Sequence, residues 1–83
     1  MKGASNQHSS AYHHLCEQLR AWREDAGMSQ RELSHQLGKT HTYAQKCESA
    51  ERRIDPLEFI DWCLACGVNP TKGISTLIPP QHR

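Results

Sequence analysis

Cys63 and Cys66 stand in a C-x-x-C spacing, and Cys16 and Cys47 bring the cysteines to four. Such a pair can hold zinc or cycle between dithiol and disulfide. A structural zinc, however, needs four ligands converging on one centre, usually supplied by turns. Cys16 and Cys47 fall on segments other than that of the pair, and most of the cysteines lie in runs with helical apolar spacing. The histidines gather at His8, His13 and His14, with His35, His41 and His82 elsewhere. Free thiols packed as small apolar side chains are therefore the expected state, with zinc and a redox pair as the rivals. No metal and no other cofactor is expected. Catalysis would also need a nucleophile or acid beside a positioned base in a pocket. The chain has no glycine-rich phosphate loop and no purposeful carboxylate pair, so an enzyme is not expected.

A second set of side chains suits recognition instead. His41, Thr42, Gln45 and Lys46 carry hydrogen-bonding groups of the kind that meet base edges in a major groove. They can do so only if the elements around them present all four outward.

Eighty-three residues suffice for one small domain. Apolar residues make up 36% and charged residues 23%, thin but globular, and no apolar run approaches the roughly 20 residues of a membrane span. Residues 1–9 are polar and hold no apolar block, so they read as a flexible arm rather than a secretory signal. A cytoplasmic protein is the expectation. Pro79-Pro80 stop any helix and leave 79–83 as a tail, with 10–78 as the folded domain.

Within 10–78 the periodicity is helical. Tyr12, Leu15, Cys16, Leu19, Trp22 and Ala26 follow i, i+3, i+4, i+7 steps, and Gly27 ends that stripe. Ser29-Gln30-Arg31-Glu32 is a capping box, Leu33 and Leu37 give the next helix its buried side, and Gly38 closes it. Thr40 is expected to cap a third helix with Ala44 and Cys47, and Tyr43 in part, turned inward. Asp55-Pro56-Leu57-Glu58 combines an N-cap, a proline at the first helical position and an acid at the third. Leu57, Ile60, Cys63 and Leu64, with Phe59 at the border, are expected to line that fourth helix as far as Gly67. Asn69-Pro70 repeats the start signal for a fifth helix carrying Ile74, Leu77 and Ile78, whose propensity Gly73 lowers. No segment alternates with period two, so the chain is all-α.

From Ser29 to Glu48 the spacing is that of a helix-turn-helix: a short capped helix, a tight turn at Gly38, Lys39 and Thr40, and a second helix with small inner residues that permit close approach. The stretch LRAWREDAGMSQRELSHQLGKTHTYAQKCESAERR, continued by IDPLEFIDWCLACGVNP, resembles the Cro/phage-repressor type (XRE family) of helix-turn-helix proteins. That resemblance covers about three quarters of the chain and implies a five-helix bundle of the lambda-repressor-like type. It also implies base contacts by His41, Thr42 and Lys46, with Gln45 beside them. Gln30 would anchor a phosphate, and Tyr43, Arg52 and Arg53 would lie near the sugar-phosphate backbone. Arg23 and Glu48 would form a structural ion pair. Two positions depart from the family pattern. Ala50 stands where the family often has Gly, and since alanine resists positive φ the turn there is expected to change shape and move Arg52 and Arg53. Lys39 replaces an apolar residue or Thr and can extend toward phosphate.

The net charge of +1 hides a polarity. Residues 30–53 carry Arg31, Lys39, Lys46, Arg52 and Arg53 against Glu32, Glu48 and Glu51, whereas 54–70 carry Asp55, Glu58 and Asp61 and no Lys or Arg. Trp22 sits at core spacing. Phe59 and Trp62 cannot both face inward beside Ile60 and Cys63, so one is expected outside, where an exposed aromatic marks an association surface. Phe59 and Trp62 are thus the expected contact of a twofold homodimer formed through the fourth and fifth helices. The function these readings imply is a sequence-specific transcriptional regulator, a repressor, that binds double-stranded DNA at an inverted repeat. The alternative is an antitoxin or a restriction–modification controller whose main role is to bind a protein partner or regulate its own operon.

Overall fold

A computed structural model describes residues 9–78, which form α1 (Ser10–Asp25), α2 (Gln30–Gln36), α3 (Tyr43–Glu48), α4 (Pro56–Ala65) and α5 (Pro70–Ser75). The tail 79–83 and the arm 1–9, Ser9 excepted, lie outside the described residues. Ser9 belongs to the helical unit as the N-cap of α1, its Oγ accepting from the Tyr12 amide at 3.0 Å.

The start signals become hydrogen bonds. In α2 the Glu32 amide donates to Ser29 Oγ at 3.0 Å and the Ser29 amide to Glu32 Oε1 at 2.7 Å. In α4 the Glu58 amide donates to Asp55 Oδ1 at 2.8 Å and the Asp55 amide to Glu58 Oε1 at 3.0 Å. Asn69 Oδ1 accepts from Thr71 and Lys72 to open α5. Each such cap stabilises its helix by about 1 kcal/mol. The third start differs from the expectation. Thr40 makes no side-chain cap; its carbonyl accepts from the Tyr43 amide at 3.0 Å, and Thr42 occupies the N-cap position without a side-chain bond. The orphan amide of Ala44 is satisfied from outside, by Oγ of the fully buried Ser34 on α2 at 2.9 Å. One bond thus caps α3 and locks it to α2.

Leu19, Leu33, Tyr43, Ala44, Cys47, Phe59, Trp62 and Cys63 form the core, with Leu15, Trp22 and Leu37 packed against it. The α4 face is a correction. Phe59, Trp62 and Cys63 point inward, while Leu57, Ile60 and Leu64 are exposed. Both sets follow helical spacing, and the aromatic set prevails because it buries more area and its one polar atom is satisfied. Trp62 Nε1 donates to the Leu19 carbonyl at 3.1 Å, the Tyr43 ring lies 6.2 Å away, and Phe59 meets Trp22 edge-on at 5.8 Å. Neither aromatic is available outside, so the expected association contact by Phe59 and Trp62 is overturned.

Helix α5 turns its glycine inward rather than its aliphatic residues. A Cβ on Gly73 would lie 3.2 Å from the Trp22 ring and 3.3 Å from Cys63 Sγ, so the residue that weakens the helix permits its close docking. Ile74 and Ile78, expected inside, are exposed. Leu57, Ile60 and Leu64 on α4, Ile74 on α5 and Ile78 beyond its end thus leave apolar side chains exposed, and Ile60 and Ile74 border an open cleft of about 380 Å³.

Candidate nucleic-acid interface

Helix α3 splits cleanly into two faces. Tyr43, Ala44 and Cys47 are buried, whereas Gln45 and Lys46 are exposed, as is His41 on the turn leading in; Thr42 is half-buried. Gln45 Nε2 donates to Glu51 Oε2 at 3.3 Å. Lys46 makes no ion pair among the described residues. On the other side of the turn, Arg31, His35, Lys39 and His41 border one open groove of about 780 Å³.

Beneath α3 lies a buried pair. Arg23 Nε donates to Glu48 Oε2 at 2.6 Å, Arg23 Nη2 to Glu48 Oε1 at 3.0 Å, and Arg23 Nη1 to the Met28 carbonyl at 2.8 Å. Hydrogen bonding to Glu48 raises the Arg23 pKa above its ordinary value. Gln30, expected at a phosphate, donates its Nε2 to Glu48 Oε1 at 2.9 Å. The structure therefore brings Arg23, Gln30 and Glu48 together, tying the first turns of α2 to the ends of α1 and α3.

A second carboxylate gathers the cations flanking α3. Arg52 Nη1 and Nη2 each donate to Glu58 at 2.9 Å, and Lys39 Nζ lies 3.5 Å from Glu58 Oε2. Hydrogen bonding from Arg52 holds the Glu58 carboxyl down to about 2. Both cations stack on Tyr43, at 5.3 Å for Lys39 and 5.0 Å for Arg52. Tyr43, expected at the sugar-phosphate backbone, is corrected to a core residue: its ring is buried against Trp62, and burial raises its hydroxyl pKa.

The loop after α3 keeps the turn expected to change. Ala50 adopts φ +67, the left-handed conformation glycine would take, so the altered shape expected of an alanine is not found. The loop is clasped from α1. Tyr12 Oη accepts from the Ile54 amide at 3.2 Å and donates to the Arg52 carbonyl at 3.5 Å, while Arg53 stacks over its ring at 4.2 Å. Sequence reasoning missed Tyr12 and the pairing role of Glu58. Tyr12 read as one more position of an apolar stripe and Glu58 as a capping acid, and neither local pattern shows a second partner in the loop between α3 and α4.

The thiols stay apart from this surface. All four cysteines are free; Cys16, Cys47 and Cys63 are buried and Cys66 is half-buried. Burial pushes the thiol pKa of all four up, that of Cys66 to about 11, which disfavours the thiolate that metal binding or exchange requires. Among the described residues no group of three or more His, Cys, Asp and Glu side chains is placed to hold a metal, and no helix is long and apolar enough to cross a membrane.

A helix locked beneath by Ser34 and Glu48, open above through Gln45 and Lys46, and flanked by arginines is the arrangement of a helix-turn-helix DNA-binding protein. The comparisons agree. The helix-turn-helix family model matches residues 19–72. An XRE-family like protein from Pseudomonas syringae pv. tomato is 38% identical, with 84% of this chain and 85% of that one covered at a TM-score of 0.79. A hypothetical transcription factor, NHTF, from Neisseria is 25% identical over 96% of this chain and 87% of that one, at 0.70. The curated proteins yielded no match. The chain belongs to the XRE family of helix-turn-helix proteins, and it is a DNA-binding transcription regulator rather than an enzyme.

Proposed function

We propose that the protein is a cytoplasmic repressor that binds an inverted-repeat operator as a homodimer and excludes polymerase from the occupied site. His41, Thr42, Gln45 and Lys46 set base preference, and Gln30, Lys39, Arg52 and Arg53 meet the phosphate backbone. The observation that carries this reading is the division of α3, with its inner side chains consumed by the core and Gln45 and Lys46 left to solvent. The twofold contact falls to the exposed apolar side chains of Leu57, Leu64, Ile74 and Ile78 in place of the buried aromatics. Two copies joined there would place two reading helices on half-sites about one helical turn, roughly 34–36 Å, apart.

Selection of bound sequences from random duplexes should return a twofold-symmetric site. On that site Lys46→Ala should lose about 1–3 kcal/mol of specific binding if the ammonium reaches a guanine. Full operator discrimination by the variant would remove Lys46 from the reading set. Sedimentation should give a dimer that Leu64→Glu converts to monomer; a monomeric parent at high micromolar concentration would refute the twofold contact.

A further inference from the structure

Two of the cations flanking α3, Arg52 and Lys39, already hold an anion that belongs to the protein itself. Both nitrogens of the Arg52 fork donate to the two oxygens of Glu58 at 2.9 Å, and Arg52 Nη1 also donates to the Arg53 carbonyl at 2.8 Å. Lys39 Nζ shares the same carboxylate at 3.5 Å. The carboxylate lies beneath its partners: the Glu58 side chain is 14% exposed, those of Arg52 and Lys39 43% and 38%. Its Oε1 is further held by the Asp55 amide, so it is anchored to the first turn of α4 and cannot swing away freely. A carboxylate and a phosphate present the same pair of acceptor oxygens to a guanidinium fork. Glu58 thus occupies the site on Arg52 that a DNA phosphate would use, and cuts the cluster charge from two positive to one.

We propose that Glu58 is an internal counter-anion that competes with DNA phosphate for Arg52 and Lys39, and so limits the sequence-independent affinity of the protein for duplex DNA. The proposal rests on the DNA-binding reading. Each phosphate neutralised by the protein releases counterions and contributes about −0.9 to the slope of log K against log salt. A gain of one such contact that vanishes at 1 M salt corresponds to about eightfold tighter binding at 0.1 M.

The test is the salt dependence of binding to a mixed-sequence duplex, followed by fluorescence anisotropy with the full chain. Glu58→Gln removes the charge yet keeps a residue that can complete the capping box, so helix content by circular dichroism should match the parent. The variant should steepen the slope by about one and bind about eightfold more tightly at 0.1 M salt. Asp61→Asn removes one charge from an exposed site on the same helix and should change neither quantity. In a Lys39→Ala/Arg52→Ala background, Glu58→Gln should add nothing, because the cations through which it acts are gone. An unchanged slope, weaker binding by Glu58→Gln, or an equal gain in either control would overturn the proposal. Wild-type protein without salt-dependent duplex binding would overturn the DNA-binding reading itself; wild-type binding that Glu58→Gln leaves unaltered would overturn this proposal alone.

Discussion

Glu48 and Glu58 each grip an arginine by both oxygens, but they do so in different surroundings. In the first pair the side chains are 9% exposed for Arg23 and 5% for Glu48, and Gln30 and the Met28 carbonyl complete the bonding. In the second the carboxylate lies low while its two cations reach solvent. Breaking a buried pair strands a charge that has no water to return to, whereas cations half in water can exchange one anion for another at small cost. The first cluster is built to hold three helices in place, and the second to be renegotiated at the protein surface. Similar chemistry therefore serves scaffold or interface according to depth.

The largest expected effect tests the buried cluster. Arg23→Ala should cost about 3–5 kcal/mol in urea unfolding, because Glu48 would be left charged and enclosed. A midpoint equal to that of the parent would erase the contrast between the two sites. Gln30→Ala removes one neutral donor from Glu48 and should cost about 1–2 kcal/mol. At the second cluster Arg52→Ala should cost less than Arg23→Ala, because Lys39 still pairs with Glu58 and Arg52 itself is half in water, and added salt should shrink the difference further. A salt-insensitive loss as large as that of Arg23→Ala would place both clusters in the scaffold.

Acid titration sharpens the comparison. The Glu58 carboxyl is held at about 2 in the folded chain against an ordinary value of 4.5. Its stabilising contribution is therefore complete above 4.5 and lost as the pH falls from there through about 2. Glu58→Gln should lower stability at neutral pH and flatten the decline over that window; a parallel decline in parent and variant would dissociate Glu58 from acid unfolding. The smallest effect concerns the link between the clusters. Ala50 carries φ +67, a conformation that costs an L-residue about 1 kcal/mol. The larger backbone entropy of glycine in the unfolded chain offsets part of that gain. Ala50→Gly should therefore raise the melting temperature by only a degree or two, without altering the salt slope of DNA binding.

Much of the scaffold was legible from residue order because its signals are local. Ser29 with Glu32, Asp55 with Glu58, and Asn69 before Pro70 each satisfy helix-end amides within three residues, and those starts appear in the structure as read. The family register likewise brought Arg23 and Glu48 into view as partners across 25 positions. The failures share a different character. Thr40 gave way to Ser34 because the cap of α3 comes from another helix, and Tyr12 and Glu58 took on roles through partners 42 and 6 residues away. On α4 two apolar stripes of equal periodicity competed, and counting spacings could not rank them.

Residue order by itself determined where α2, α4 and α5 begin and where α1, α2 and α4 end, since capping groups, prolines and left-handed turns act on backbone amides close by. It also determined that Gln45 and Lys46 stand on the opposite side of α3 from Ala44 and Cys47, because a helical repeat leaves no other choice. Only the assembled fold decided which face of α4 is inner, which carboxylate is buried, and how far each cation is spoken for. Those outcomes depend on the depth and company of a side chain, and both come into being only when the helices meet.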